Sequence, residues 1–322
     1  MYCFYAFLNK FHKNQHFSKI SHIGKNTTHL IIRFLSRRIP LNENPNLYNP
    51  FFIIGSGRSG NTLIRAVLNN NSKISIPPES FVLSSIIKKH YIYSFLNWDE
   101  YSSLILGEFQ KIPKEFPWNL DYNQIKMDLL NLKKEERSLA KIIDFIYTSH
   151  SNKTFPDFQV WGDKTPLNTL YLFWINRLFP KAKYINIIRD GRDVVSSYLK
   201  YGRYNNINEA CSRWILSIKN VEKFKKINSN ILNIKYEDFV TNPERKSIEI
   251  CNFLGISYED KMLEYHKNLN LMGDTLLSHH RNLKNPINQN SIGKWKNELS
   301  FREQAVVENL LYHYLKKYNY EI

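Results

Sequence analysis

Apolar residues in this chain fall into short runs that stop abruptly on polar turns and are followed by helix-like spacing. F-F-I-I at 51–54 leads into G-S-G-R-S-G-N-T and then T-L-I-R-A-V-L, which predicts a strand, a tight turn and an amphipathic helix. Residues 73–76 predict a second, short strand, stopped by Pro77 and Pro78 with Glu79 just beyond its end. The stretch 81–155 is rich in aromatics and lysines and predicts mainly helices, interrupted at I-P-K-E-F-P-W; it reads as a cap over a site. A brief strand at 159–162 precedes D-K-T-P, and Pro166 opens an apolar helix predicted to run through 179. Lys183–Ile188 is a strong buried-strand signal running into R-D-G-R-D and a helix bearing Val194, Val195 and Leu199. Ile231–Lys235 gives a further strand ending in Y-E-D, and T-N-P-E at 241–244 predicts a capping box for a helix to 253, with Gly255 as its stop. Alternating strands and helices predict an α/β domain, a three-layer sandwich with a central, mostly parallel sheet and a helical cap insertion. In such a sheet Glu79 and the polar turns sit at the carboxyl ends of strands, where ligands bind.

The first turn has the glycine separation of a phosphate-binding loop, G-x-x-x-x-G-K-[ST], so the sandwich is P-loop-like. Gly55 and Gly60 match, but Asn61 stands where the lysine belongs, and the loop's cation is Arg58. The loop therefore predicts an anion held at a helix N-terminus without metal-assisted phosphoryl transfer. Arg189 and Ser197, on the turn and helix after another strand, face this loop in a parallel sheet and suit a ligand with two separated anionic groups. A nucleoside-triphosphatase would want a carboxylate at that strand end, whereas this one ends in Arg189 before Asp190. The plainer alternative for Arg189 and Arg192 is a pair of exposed salt bridges with Asp190 and Asp193.

With 322 residues and 43% hydrophobic content, one large α/β domain or two ordinary ones are both affordable. The net charge of +16, from 45 Lys+Arg against 29 Asp+Glu, favours anionic partners: a nucleotide, an acidic acceptor, nucleic acid or a lipid surface. Widely solvated lysine is the bland alternative. Cys3, Cys211 and Cys251 are odd in number and far apart, suggesting neither a disulfide framework nor a zinc site. His279 and His280 are adjacent and fit no metal-ligand spacing. The apolar start at 1–8 is too short for a secretory core, and nothing approaches a membrane span, so a soluble protein is expected. Residues 1–46 form a basic N-terminal extension to a domain at 47–322. Its T-H-L-I-I-R-F-L-S-R-R reads as a basic amphipathic helix suited to peripheral membrane contact, or as a segment packed on the domain.

These residues match a family. R-S-G-N-T at 58–62, Glu79, D-K-T-P around Lys164, R-D-G-R at 189–192, Y-E-D-F-V at 236–240, F-L-G-I at 253–256 and G-K-W at 293–295 occur in order over roughly 50–300. The chain thereby resembles the sulfotransferases that use 3′-phosphoadenosine 5′-phosphosulfate, especially the tyrosylprotein and related bacterial branch, whose loop reads R-S-G-T-T. The resemblance implies that Arg58, Ser59, Gly60, Asn61 and Thr62 hold the 5′-phosphosulfate, that Arg189 and Ser197 hold the 3′-phosphate, and that Tyr236 and Lys294 complete the nucleotide site. Lys200 and Arg203 are alternatives for a further phosphate contact, and S-H-H-R-N at 278–282 is a loose match.

The chemistry then needs a base and positive charge at the departing oxygen. Glu79 is the expected base, with Lys164 and Arg58 stabilising negative charge and no metal required. Glu79 as a helix cap and Lys164 as a surface lysine are the plain alternatives, and Asp163 is a second candidate base. Tyr91, Tyr93, Phe95, Trp98 and Tyr101 are candidates for an acceptor groove, with packing between cap helices favoured for each. The rival enzyme is a P-loop kinase or nucleoside-triphosphatase, and the rival without catalysis is a basic nucleic-acid or membrane-surface module. No nucleic-acid partner is expected. The acceptor is a hydroxyl on a protein tyrosine, glycan, lipid or small molecule, with charge favouring an acidic one. Golgi members of the family carry a membrane anchor that this sequence lacks, so a cytoplasmic enzyme of bacterial type is expected.

Overall fold

Five short strands form one sheet, and its central strand, at 51–55, is buried at every position, as expected when helices cover both faces. They are β1 (Phe51–Gly55), β2 (Ile74–Ser75), β3 (Val160–Asp163), β4 (Lys183–Ile188) and β5 (Ile231–Lys235). The structure, a computed structural model, describes residues 38–42, 47–274 and 283–322. Most of the N-terminal extension and the whole 278–282 segment lie outside the described residues. The strand order is β2-β3-β1-β4-β5 and all pairings are parallel. The central strand β1 pairs Phe51 with Gly162 on one side and Phe51 through Gly55 with Lys183 through Ile187 on the other.

Side-chain alternation along β1 divides the core. Phe52 and Ile54 pack with Trp161, Tyr184 and the cap helices α2 (Leu83–Tyr93), α3 (Trp98–Phe109), α4 (Tyr122–Leu130) and α5 (Leu139–Thr154), joined by α6 (Leu172–Leu178). Phe51 and Ile53 face the other way, against α1 (Asn61–Asn69), α9 (Tyr236–Thr241) and α10 (Pro243–Leu254). A third cluster joins α7 (Gly191–Lys200), α8 (Ile207–Lys225) and α12 (Phe301–Lys317), with Trp295 from the short α11 (Trp295–Glu298). No helix among the described residues is long and apolar enough to cross a membrane.

Three expected elements differ. The helix predicted at 166–179 is split into a 3-10 turn, Pro166–Leu170, and α6. Asn168 Nδ2 donates to Asp163 (2.7 Å) and Thr169 Oγ1 donates to Gly55 O (2.8 Å), so tertiary bonds tighten the first turn. The predicted capping box at 241–244 is absent: Thr241 closes α9, and Asn242 caps α10 without a side-chain bond. Strand β2 stops after Ser75, because Ile76 N–H donates to Asn69 Oδ1 (2.8 Å) and Ile76 O accepts from Arg65 Nε (3.2 Å).

Candidate active site

The turn from β1 into α1 is built for close approach. At Gly60, φ is 93°, and a Cβ would lie 2.3 Å from Tyr236 Cδ2, so only glycine fits. Gly60 caps α1 with no side-chain bond to the helix's first amides, leaving those N–H groups pointed outward for an anion. Asn61 Nδ2 donates to Ser56 O (2.7 Å), folding the amide back into its own loop. Gly55 N–H donates to Thr169 Oγ1 (2.9 Å), and Ser56 Oγ shares a hydrogen bond with Tyr198 OH (2.8 Å). The loop is thus strapped to two neighbouring elements.

The loop opens into a cleft of about 590 Å³. Arg58, Gly60, Asn61, Thr62, Glu79, Arg189, Ser197, Tyr236 and Lys294 all line it. Ser59 and Lys164 lie beneath this lining, both buried. Hydrogen bonds divide the polar groups into two sets. In the first, Lys164 Nζ donates to Thr62 Oγ1 (3.2 Å) and to the Glu79 carboxylate. One ammonium therefore joins the start of α1 to the carboxylate after β2. In the second, Arg58 Nε donates to Ser197 Oγ (2.9 Å) and Arg189 Nη1 to Arg58 O (3.0 Å). The Arg58 guanidinium lies 4.5 Å from the centre of the Tyr201 ring, and that of Arg189 lies 4.5 Å from the centre of Tyr236. Among the described residues Arg58 makes no hydrogen bond or ion pair with Glu79 or Lys164.

Burial lowers the Arg58 pKa from its ordinary value, and Arg203 and Arg189 nearby push the same way, against Tyr201 and Tyr198. A concentration of guanidinium charge out of water calls for an anion to offset it. Ser59 Oγ, Asn61 Oδ1 and Arg189 Nε are buried without a hydrogen-bond partner among the described residues. The orphaned donors Arg189 Nε and Ser59 Oγ, with the open first turn of α1, fit a ligand carrying phosphate-like oxygens.

Sequence reasoning missed what holds the far wall. Asp193 accepts from Gly293 N–H (2.9 Å) and Trp295 N–H (3.0 Å), and sits 3.6 Å from Arg189 Nη2. It clasps the segment carrying Ser291 and Lys294 against α7, and Ser291 O accepts from Arg189. Burial raises the Asp193 pKa, opposed by Arg189. The i,i+4 spacing of Arg189 and Asp193 was the available signal. The plainer alternative for this turn, a pair of exposed salt bridges, holds in its pairings but not in its exposure: Arg189 pairs with Asp193 and Arg192 with Asp190, and all four residues are buried. Arg192 is buried, 4.2 Å from the centre of the Trp295 ring and bonded to Asp190 (2.8 Å) and Glu308 (2.8 Å), while Arg189 lines the cleft. Lys200 pairs with Glu298 (2.6 Å), and Arg203 also lines the cleft.

Asp163 is bound up in packing. It is buried, accepts from Tyr147 OH (2.6 Å) and Asn168 Nδ2 (2.7 Å), and its pKa is raised first by that burial. It does not line the cleft, unlike Glu79. The aromatic candidates also go elsewhere. Trp98 and Tyr101 are in the core, Trp98 Nε1 donating to Leu129 O (2.7 Å) and Tyr101 OH meeting His90 Nδ1 (2.7 Å). Tyr91 packs on Trp174, and Tyr93 and Phe95 are exposed.

A phosphate-type loop, a lysine–glutamate pair beside it and an arginine-rich opposite wall define an anion-dependent group-transfer site on a parallel α/β sheet. Residues 50–260 match the sulfotransferase family, and the chain belongs to it. Protein-tyrosine sulfotransferase A of Caenorhabditis elegans is 26% identical over 265 residues, covering 78% of this chain and 62% of that protein. Protein-tyrosine sulfotransferase 2 of Gallus gallus is 23% identical, covering 76% of this chain and 62% of that protein. The chain thus spans under two thirds of the length of these two relatives. Among solved structures, the sulfotransferase domain of the Synechococcus PCC 7002 olefin synthase superposes with a TM-score of 0.60 at 20% identity, covering 89% of this chain and 100% of that one. The sulfotransferase domain of the curacin biosynthetic pathway gives 0.59 at 21% identity, covering 86% and 99%. These two share its fold.

Proposed function

We propose that the chain transfers a sulfuryl group from 3′-phosphoadenosine 5′-phosphosulfate to an acceptor hydroxyl. The observation that carries this reading is the Lys164 ammonium bridging Thr62, at the head of the anion-binding helix, and Glu79. The co-substrate supplies the transferable sulfuryl group and a phosphate able to depart with the electrons of the broken S–O bond. Glu79 takes the proton from the acceptor oxygen as that oxygen bonds to sulfur. Lys164, held at the same point, neutralises charge gathering on the departing phosphate oxygen. The first-turn amides of α1 and Thr62 cradle the phosphosulfate. Arg58, bonded to Ser197 and stacked on Tyr201, acts with Arg189 in holding nucleotide phosphate rather than in stabilising charge on the departing oxygen beside Lys164. Tyr236 supports Arg189 from below, and Lys294 adds charge at the rim. The names of the relatives, protein-tyrosine sulfotransferases, support a hydroxyl acceptor.

The test is a thermal-shift comparison of adenosine 3′,5′-bisphosphate with ATP and Mg²⁺. At about 100 times its dissociation constant a specific ligand stabilises the native state by ~2.7 kcal/mol. The bisphosphate is expected to raise the melting temperature. A shift with ATP and Mg²⁺ alone would favour a kinase or nucleoside-triphosphatase instead.

A further inference from the structure

The turn that follows α12 reaches back to the wall carrying Arg189. Asn319, with φ 55° in the left-handed region, donates its N–H to Lys316 O (3.1 Å), and Tyr320 N–H donates to Leu315 O (2.9 Å), the paired bonds of a Schellman turn. The chain thereby reverses and lays the half-buried Tyr320 ring on the cluster of α7, α8 and α12, with Lys235 Nζ 4.9 Å from its centre. Tyr320 OH donates to Glu237 Oε2 (3.1 Å), while Glu237 Oε1 accepts from Asp190 N–H (2.9 Å). Each carboxylate oxygen has its own donor. Glu237 follows Tyr236, and Asp190 follows Arg189, so this one carboxylate joins the two strand ends that form the arginine wall. Asp190 in turn caps α7, accepting from Arg192 N–H (2.9 Å).

Glu237 is also a hazard to that wall. Burial raises its pKa, opposed first by the Asp190 N–H and further by the Tyr320 hydroxyl and the charge of Arg189. It therefore feels Arg189, yet among the described residues the ion-pair partner of Arg189 is Asp193 and not Glu237. Arg189 Nε is left buried without a hydrogen-bond partner, open to a ligand oxygen. A buried carboxylate oxygen that loses its donor must find another, and a carboxylate swung onto Arg189 would compete with a nucleotide phosphate for the same guanidinium. We propose that Tyr320 is a positioning residue: its hydroxyl holds Glu237 away from Arg189, keeps that guanidinium open, and so sets the preference for a nucleotide bearing a 3′-phosphate. This inference rests on the sulfuryl-transfer reading above and adds a determinant of co-substrate specificity.

The experiment titrates the full chain with adenosine 3′,5′-bisphosphate and with adenosine 5′-monophosphate, and reads the ratio of the two dissociation constants. Tyr320→Phe deletes the donor and keeps the ring. It should weaken the bisphosphate by about 3- to 10-fold and the monophosphate by no more than about twofold, with the KM for the phosphosulfate rising likewise and kcat retained. Any unfolded fraction scales both constants equally, so the ratio reads the site and not stability. Adding Glu237→Gln should restore the ratio, because a neutral amide still accepts from Asp190 N–H but does not neutralise Arg189. An unchanged ratio in Tyr320→Phe, or a double variant as impaired as the single one, would overturn the proposal while leaving sulfuryl transfer intact. If the wild-type chain does not bind the bisphosphate more tightly than the monophosphate, the nucleotide reading itself fails and the role of Tyr320 falls with it.

Discussion

Replacing Glu79 with glutamine distinguishes a carboxylate that accepts a proton from one that only neutralises Lys164. Glutamine keeps the size of the side chain and an oxygen for the ammonium, and Thr62 Oγ1 remains 3.2 Å from Nζ. Charge pairing and basicity are what disappear. The Lys164 side chain has 0% exposure and that of Glu79 15%, which places the pair between an exposed one, worth ~0–1 kcal/mol, and a fully buried one, whose breakage costs ~3–5 kcal/mol. A loss of about 2 kcal/mol in unfolding free energy is therefore expected. Removing a general base lowers turnover by ~10² to 10⁴, or ~2.7 to 5.5 kcal/mol in the barrier. Working well below the melting temperature separates the two effects, because molecules that remain folded report their true kcat. Urea unfolding, calorimetric titration with adenosine 3′,5′-bisphosphate and labelled-sulfate transfer supply the measurements. Glu79→Gln should unfold earlier, bind nucleotide within about twofold of wild type, and lose at least ~100-fold in kcat. Adding Lys164→Met should recover stability by removing the unpaired ammonium, without recovering turnover. Full turnover in Glu79→Gln, or lost nucleotide binding with kcat unchanged, would refute the reasoning.

Other perturbations read other parts of the structure. Arg189→Lys removes the planar group over Tyr236 and the bond to Arg58 O; titration should show bisphosphate affinity falling by about 10- to 100-fold, and an unchanged affinity would place the phosphate elsewhere. Arg65 and Asp274 form an ion pair at 2.7 Å with both side chains at 0% exposure, so Arg65→Met should cost ~3–5 kcal/mol in urea unfolding. The double variant with Asp274→Leu should recover part of that, and strict additivity would argue against the pairing. Burial, reinforced by Arg38 and Arg177, pushes the His90 pKa down from 6.5 to about 4. The native state thus holds His90 neutral where the unfolded chain protonates it. Its contribution is complete above pH ~6.5 and declines by up to about 1.4 kcal/mol per pH unit as pH falls toward ~4. Urea midpoints measured between pH 7 and 4.5 should show a shallower loss in His90→Gln, and equal slopes would refute the assignment.

Strands β4 and β5 were legible to the residue because each is a short apolar-rich run interrupted by a single Asn, with its polar turn marking the end. The anion loop was legible because its glycines and its missing lysine are local. The struts were not. Thr169 reaches Gly55 and Asp193 reaches Gly293 across a hundred residues or more, and local spacing carries no record of such partners. Arg189 and Arg192 share one turn, yet one lines the cleft and the other packs on Trp295, a choice made by the tertiary position of α11 and α12. In the cap, composition identified helices but not which aromatics would face a ligand. Trp98 and Tyr101 complete helix packing, while Phe81 and Phe116, in the turns between elements, reach the cleft.

The bond from Asn61 Nδ2 to Ser56 O closes the loop on itself with an internal crosspiece. The loop can keep its curvature with or without oxyanions inside it, and the entropy of arranging its amides is spent during folding rather than at the moment of capture. Nucleotide association should then be a docking event with little backbone rearrangement. Asn61→Ala would remove the crosspiece and convert recognition into coupled loop ordering and binding, visible as slower association and a more unfavourable binding entropy.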